Sequence, residues 1–372
     1  MTRASIDVEA LRRMLERGEP VTVLDVRPED QRTEWRIPGS VHFDAYEALK
    51  TKDPNAMEGI ERAGVLGELP VVIVCAAGNS SAVAADQLRN QGFEAYSLEG
   101  GMKAWSMSWN TARVSVPRAE AQVVQVRRTG KGCLSYVVGS NDEALVVDAS
   151  VAPEVYLKLA EERGWQITLV LDTHVHADHL SRSRSLAGLT GAALHLPEGS
   201  PVSYPHSPLG DGGEIEVGGA KLEVISTPGH TPESACYLLE GRTLFSGDTL
   251  FLASVGRPDL EATPEQAKEK ARALHRSLMR LLDLPPETVV LPGHTPEPVP
   301  FDGEPLSATL SKVRSEVALL REGEEAFVEK VSGRVSPPPT NHEHVVDLNR
   351  SGRMPGADPA ELEAGVNRCA AG

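Results

Sequence analysis

Along the first hundred residues, short aliphatic runs alternate with amphipathic stretches. Residues 21–24 and 71–74 are rich in Val and almost wholly apolar, as strands buried on both faces are. Helical spacing governs 7–16 and 80–91, Gly92 stops the second helix, and 95–98 follows as another short strand. Such alternation predicts a small parallel-sheet α/β domain over residues 1–108. Residues 109–118 carry no helical period and read as a linker. From 119 the rhythm changes. Strand-like runs at 123–126, 134–138 and 144–148 succeed one another across polar turns, as in an antiparallel meander. A helix at 155–163 then leads into a buried strand at 167–171. Further strands are predicted at 214–217, 221–225, 234–239, 243–245 and 288–291, with a long helix at 264–282. From 307 a helix to 321 and a Pro-rich loop at 336–339 extend this second unit to residue 372. Two β-rich halves that each carry helices fit an αββα sandwich better than a doubly wound sheet.

Charge narrows the partners. Acidic residues outnumber basic ones 53 to 37, a net charge of −16, so nucleic-acid phosphates and anionic membranes are disfavoured. A small anionic substrate is still admissible where the local field is positive. No run reaches the roughly 18 apolar residues of a membrane span. The first twenty residues lack the apolar core of a signal peptide, and a cytoplasmic protein is the expectation. The four cysteines, at 75, 133, 236 and 369, form neither a CxxC pair nor a disulfide framework.

The strongest chemical signal is Thr173-His-Val-His-Ala-Asp-His179, directly after the predicted strand 167–171. Residues two apart on extended chain face the same way, so His174 and His176 can address one centre, with Asp178 and His179 at the following turn. Three histidines and a carboxylate within six residues are costly to bury unless a cation holds them. Thr227-Pro-Gly-His230, Ser246-Gly-Asp-Thr249 and Leu291-Pro-Gly-His294 each follow a predicted strand and add one ligand-type residue on a tight loop.

These motifs, in this order over about 119–330, resemble the metallo-β-lactamase superfamily. Members with such ligands are dinuclear zinc hydrolases, diiron redox enzymes or mononuclear iron dioxygenases. The resemblance implies either of two centres. Two Zn(II) would use His174, His176 and His230 at one site, and Asp178, His179 and His294 at the other, with Asp248 bridging. A single Fe(II) per chain would select His174, His230 and Asp248, a two-histidine, one-carboxylate set with three open positions. His176, Asp178, His179 and His294 would then orient the ligands by hydrogen bonds; Asp178 is also a catalytic candidate. Ser254-Val-Gly-Arg-Pro-Asp-Leu260 resembles the Gly-Arg-x-Asp segment of persulfide dioxygenases. On that resemblance Arg257 binds a carboxylate of glutathione persulfide, and Asp259 positions Arg257 or the peptide.

In the first domain Cys75 ends a strand, and Ala76, Ala77, Gly78, Asn79 and Ser80 lead into a helix. Successive backbone N–H groups and the helix dipole there favour an anion on sulfur. With Asp25-Val-Arg27, Ile37-Pro-Gly-Ser-Val41 and Gly100-Gly-Met-Lys-Ala-Trp105, the loop resembles that of a single-domain rhodanese. Cys75 is then the catalytic sulfur carrier, and residues 76–80 cradle its cargo. Ser80 stands where rhodanese loops commonly carry arginine. Asp25 and Arg27 read as a structural ion pair, and Cys133, Cys236 and Cys369 receive no role.

The fold expected is therefore α/β and α+β: an N-terminal rhodanese-like parallel-sheet domain followed by a metallo-β-lactamase αββα sandwich. The resemblances imply a persulfide dioxygenase coupled to a sulfurtransferase, with a low-molecular-weight thiol persulfide such as that of glutathione, O2, and thiosulfate or sulfite as small-molecule partners. A homodimer is compatible with them. The alternatives are a dinuclear zinc thioester hydrolase of the hydroxyacylglutathione type, and a first domain that only binds.

Overall fold

The computed structural model describes all residues except 1–4, 61, 62, 65, 117–120, 334–336, 357 and 372. The boundary at 118–119, and Ser336 of the Pro-rich loop, lie outside the described residues.

The first unit runs β1 (Ser5–Ile6), α1 (Val8–Glu16), β2 (Thr22–Asp25), α2 (Glu29–Glu34), β3 (Val41–His42), α3 (Tyr46–Lys50), β4 (Val71–Val74), α4 (Asn79–Asn90), β5 (Ala95–Leu98) and α5 (Gly101–Trp105). Its five strands are all parallel, in the order β1-β5-β4-β2-β3. Asp7 caps α1 by accepting from Ala10 N at 2.7 Å, satisfying one donor the first helical turn leaves open. β4 is buried throughout because α3 and α4 cover one face of the sheet (Leu49, Ala84, Leu88) and α1 and α5 the other (Leu11, Trp105). This is the expected parallel-sheet domain.

The predicted linker needs correction. Within 109–118, Asn110–Val114 forms β6, paired antiparallel with β7 (Gln122–Arg127) at the edge of a seven-stranded sheet. The alternation of Ala112 and Val114 inward with Arg113 outward is a strand signal hidden among polar residues. β8 (Leu134–Ser140) and β9 (Glu143–Val147) complete the antiparallel meander. After α6 (Pro153–Glu161), β10 (Gln166–Leu171), α7 (Ser183–Thr190), β11 (Ala193–Pro197) and β12 (Ser207–Leu209) add parallel strands to the same sheet.

The second sheet of this unit is built from β13 (Glu214–Val217), β14 (Ala220–Ser226), β15 (Ala235–Leu239) and β16 (Thr243–Gly247). The short β17 (Val255–Gly256) and the long α8 (Pro264–Leu282) come next, then β18 (Val289–Pro292) and β19 (Ala308–Thr309), which finish the sheet. Thr263 and Gln266 form a reciprocal capping box at the start of α8, and Pro264 sits where a missing N–H costs nothing. The single helix predicted to 321 breaks into α9 (Leu310–Glu316) and a 3-10 turn, Ala318–Arg321. Buried Val317 turns extended there, and both Val317 and Leu320 join the core. Then α10 (Glu324–Gly333), α11 (His342–Ser351), α12 (Pro359–Glu363) and β20 (Ala370–Ala371) follow, β20 pairing with β17.

Four layers result. Tyr136, Leu145 and Leu171 of one sheet meet Leu222, Tyr237 and Phe245 of the other. Tyr156, Leu159 and Leu186 cover one outer face, and Leu274, Leu278 and Phe327 the other. The strand-end loops of both sheets converge on one edge, where the histidine motifs lie.

Candidate metal centre and sulfur-carrier loop

Each ligand-type residue follows a buried strand. His174, His176, Asp178 and His179 come after β10, His230 after β14, Asp248 after β16 and His294 after β18. Every one is at most 4% exposed. The structure sorts them into neighbouring groups. His174, His230 and Asp248 offer ligand atoms that all lie within 4.8 Å of one another. His174 Nε2 and His230 Nε2 stand 3.8 and 3.6 Å from Asp248 Oδ2, a spacing too wide for hydrogen bonds and suited to a cation between them. His174 Nε2 and Asp248 Oδ2 are buried without a hydrogen-bond partner among the described residues. Orphaned buried groups of this kind cost about 1–3 kcal/mol each, so the donor set fits a metal ion.

The ring orientations are fixed from outside. Thr173 Oγ1 donates to Asp148 at 2.9 Å and stands 2.9 Å from His174 Nδ1. His230 Nδ1 lies 2.8 Å from the Arg257 carbonyl, so it carries the proton and Nε2 is left as a ligand atom. Burial, together with His176, holds the His174 pKa well below its ordinary value; burial lowers that of His230 as well. Both rings are therefore neutral, the form that binds metals.

The other side of the centre is organised differently. Asp178, His179 and His294 group with Cys133. His179 Nδ1 lies 3.0 Å from Asp178 Oδ1, and His294 Nε2 lies 3.0 Å from Asp178 Oδ2. His294 Nδ1 reaches Asp248 Oδ1 at 2.5 Å. Asn367 Nδ2 donates to Asp178 Oδ2 at 2.9 Å, and the Cys133 thiol points to the same oxygen at 3.4 Å. Burial opposes charge on all of these groups, but pairing outweighs it. Asp178 is held well below the carboxylate range by His294 and His179, and His179 is pushed up to about 10 by Asp178 and Cys133. His176 turns away, its Nε2 3.2 Å from Asp148 Oδ1, while its Nδ1 has no partner among the described residues. Cys369 completes the wall, grouped with Asp248 and His294.

A cavity of about 580 Å³ opens beside His230, lined among others by Val175, Leu260, Lys270, Val346 and Arg350. Arg257 and Asp259 are not among its lining residues. The Arg257 guanidinium is buried, with Nε 2.8 Å from Asp259 Oδ1 and Nη1 3.1 Å from both the Pro337 and Arg368 carbonyls. The guanidinium faces these carbonyls and Asp259 rather than the cavity. Its side chain ties the 337 and 368 segments down, and its carbonyl orients His230. Asp259 does position Arg257, but the cations facing the cavity are Lys270 and Arg350.

In the first unit Cys75 is 2% exposed. Gly78 N donates to its sulfur at 3.1 Å, and Ser81 Oγ lies 3.3 Å away, itself 2.9 Å from Ser97 Oγ. Ala76, Ala77, Asn79 and Ser80 give Sγ no hydrogen bond among the described residues. Gly78 has φ +86°, and a Cβ on it would meet Gly100 N at 2.9 Å, so the loop requires glycine there. Asp25 and Arg27 form a buried pair at 2.8 Å, with Arg27 also holding the Trp35 carbonyl. Ala76 and Arg27 border a second cavity, of about 270 Å³, whose far wall includes residues 364–366.

Residues 128–294 match the family model described as metallo-beta-lactamase superfamily, and 7–108 that of the rhodanese-like domain. Hydroxyacylglutathione hydrolase from Methylobacillus flagellatus is 37% identical over 161 residues, 43% of this chain and 60% of that protein. The chain thus spans about three fifths of the length of that relative, and 62% of the Rhizobium meliloti one. Hydroxyacylglutathione hydrolase from Brucella anthropi is 31% identical over 212 residues, 55% of this chain and 78% of that protein. The chain belongs to the metallo-beta-lactamase superfamily.

Among solved structures of metallo-beta-lactamase fold, ETHE1 from Myxococcus xanthus is similar with a TM-score of 0.55 and 28% identity, covering 62% of this chain and 98% of that one. A metallo-beta-lactamase from Staphylococcus aureus subsp. aureus COL gives 0.59 and 26%, covering 65% and 76%. In this metallo-beta-lactamase superfamily chain the four motif segments, 173–179, 227–230, 246–249 and 291–294, bring their ligand-type residues into neighbouring groups. Cys133 and Cys369, left without a role by the sequence reading, stand at the centre. Nothing in their own surroundings in sequence marks them, because β8 and residues beyond 359 reach the centre only through tertiary packing.

Proposed function

We propose that the chain is a persulfide dioxygenase with one iron per chain, served by its own rhodanese-like domain. The carrying observation is the asymmetry of the centre. Neutral His174 and His230 face Asp248 Oδ2 with their Nε2 atoms at 3.8 and 3.6 Å, a spacing that suits a shared ion, beside the open cavity. On the other side, Asp178 is already hydrogen-bonded by His179, Asn367 and Cys133 and stands 3.0 Å from His294 Nε2, although His179 Nε2 and His294 Nε2 have no hydrogen-bond partner among the described residues. That supports a single metal on the two-histidine, one-carboxylate set rather than two. Iron held there would supply the one-electron chemistry that lets dioxygen react with a closed-shell persulfide.

The overall reaction is RSSH + O2 + H2O → RSH + SO3²⁻ + 2 H⁺. Asp248 is kept ionised: burial would raise its pKa, but His294, charged and hydrogen-bonded to it, lowers it. His294 braces its other oxygen. Lys270 and Arg350, lining the cavity, would meet the carboxylates of a glutathione-like thiol. Cys75 would bring sulfane sulfur to that thiol, its persulfide anion held by Gly78 N and the start of α4. Asp25 and Arg27 shape the loop without touching sulfur.

A second reading, a dinuclear zinc thioester hydrolase, is favoured by the names of the curated relatives and by His176 Nδ1 and His179 Nε2, which have no hydrogen-bond partner among the described residues. Metal analysis of the purified chain separates the two. About one iron per chain, with oxygen uptake on adding glutathione persulfide, supports the dioxygenase. Two zinc ions without oxygen uptake, and hydrolysis of a glutathione thioester, would overturn it.

A further inference from the structure

Residues 359–371 run as a strap over the metal centre, and buried contacts fix their course. Glu363, fully buried, pairs with Arg128 and, at 2.6 Å, with Arg182. Lys131 Nζ donates to the Glu363 carbonyl at 2.8 Å. Arg257 N then donates to the Cys369 carbonyl at 3.0 Å, and β20 pairs with β17 immediately after. Between these anchors the strap brings the Asn367 side chain to the centre. Its Oδ1 accepts from Cys369 N at 2.9 Å, which fixes the amide so that Nδ2 donates to Asp178 Oδ2, also at 2.9 Å.

That oxygen belongs to a donor set of its own. Cys133, Asp178, His179 and His294 are all buried, and each offers one ligand atom within 4.8 Å of the other three. Among the described residues His179 Nε2 and His294 Nε2 have no hydrogen-bond partner. A thiol, a carboxylate and two imidazoles are donors of the kinds that a borderline cation such as Zn(II) takes. A carboxylate oxygen has two lone pairs, and Asp178 Oδ2 receives both Cys133 Sγ, at 3.4 Å, and Asn367 Nδ2. The two donors are not equivalent. A thiol can shed its proton and become a ligand, whereas an amide nitrogen keeps both hydrogens and has no lone pair for a metal.

We propose that Asn367 limits the centre to one metal ion, its amide holding the Asp178 oxygen that a second ion would need. Asn367 is thus a positioning residue, acting through Asp178. Among the described residues it makes no hydrogen bond to His174, His230 or Asp248, so the first ion's donor set is left as it stands. The inference rests on the single-metal reading above and assigns that property to one side chain, delivered by the strap.

The test uses the full chain, stripped of metal and titrated with cobalt(II), whose absorption bands report each ion as it binds. The wild type is expected to reach its final spectrum at one equivalent, and Asn367→Ala at two. A merely structural part for Asn367 would lower the melting temperature and leave the endpoint at one. Equal endpoints in the two proteins overturn the proposal. At one equivalent in both, only the role of Asn367 falls and the single-metal reading stands; at two in both, the single-metal reading falls with it. Should Asn367→Ala fail to fold, Asn367→Ser, polar but one bond shorter, is titrated in its place, with the same outcomes. Oxygen uptake is no part of this readout, so failure of the dioxygenase and failure of the Asn367 assignment remain distinguishable.

Discussion

Two buried thiols in this chain are held in opposite ways. Cys75 is placed by its sequence neighbours: Gly78 N three residues on, Ser81 six residues on, and a loop whose backbone is closed by Gly101. Cys369 is placed by partners far away in sequence, through a strap anchored 189 residues from Asp178 and 235 from Arg128. A backbone loop needs little beyond its own glycines and holds a thiol that is already hydrogen-bonded. A centre assembled from charges depends on a few buried ion pairs, and its ligand atoms still lack partners. The first is a local property of about thirty residues; the second belongs to the whole fold.

The largest effect should come from cutting the strap's anchor. Glu363→Ala strands Arg128 and Arg182 in the interior, a loss of about 3–5 kcal/mol. Thermal unfolding should show the metal-binding unit weakened, and alkylation of Cys369 should rise while that of Cys75 stays put. The pH dependence has a definite sign. Burial would raise the Glu363 pKa, but Arg128 and Arg182 outweigh it and hold it below the ordinary 4.5. Its contribution is therefore complete above about pH 4.5 and fades as pH falls through the depressed folded value. Acid should expose Cys369 in the wild type over that range. Equal Cys369 reactivity in variant and wild type would refute the strap's dependence on this pair.

The same contrast explains what the sequence disclosed. The histidine motifs are legible because each follows a strand and packs its chemistry into a few residues, as Thr173–His179 does. The Cys75 loop is legible for the same reason. Arg257 is only partly legible: its segment has a recognisable pattern, but whether a guanidinium faces a cavity or a carbonyl depends on where residues 337 and 368 pass. Asn367, Cys133 and Cys369 are silent because their partners are distant in the chain. β6 was hidden because a five-residue edge strand with polar residues between its apolar ones resembles a linker.

A smaller effect is expected in the loop. Gly101 has φ +56°, and a Cβ there would lie 2.3 Å from the Cys75 carbonyl and 2.8 Å from Gly78 N. Gly101→Ala should destabilise the first unit by about 1–3 kcal/mol, since backbone has to move to make room. Cyanide-dependent formation of thiocyanate from thiosulfate should fall, and the cobalt spectrum should not change. A variant that keeps wild-type melting would show that the loop is looser than its close contacts imply.

The smallest effect concerns the two ion pairs that join the strap to the first unit, Lys103 with Glu361 and Arg368 with Glu34. All four side chains are about one third or more exposed. Exposed pairs contribute about 0.2–1 kcal/mol each and are screened by salt. Lys103→Ala and Arg368→Ala should therefore shift melting only slightly, and less still at high ionic strength. They nonetheless sit beside the cavity that Ala76 and residues 364–366 share, where the two regions meet. If either variant exposed Cys369 or altered the cobalt spectrum as strongly as Glu363→Ala, the strap would be governed from the rhodanese-like side. The division between a local thiol and a fold-dependent one would then fail, because the Cys75 loop and the strap would respond as one unit.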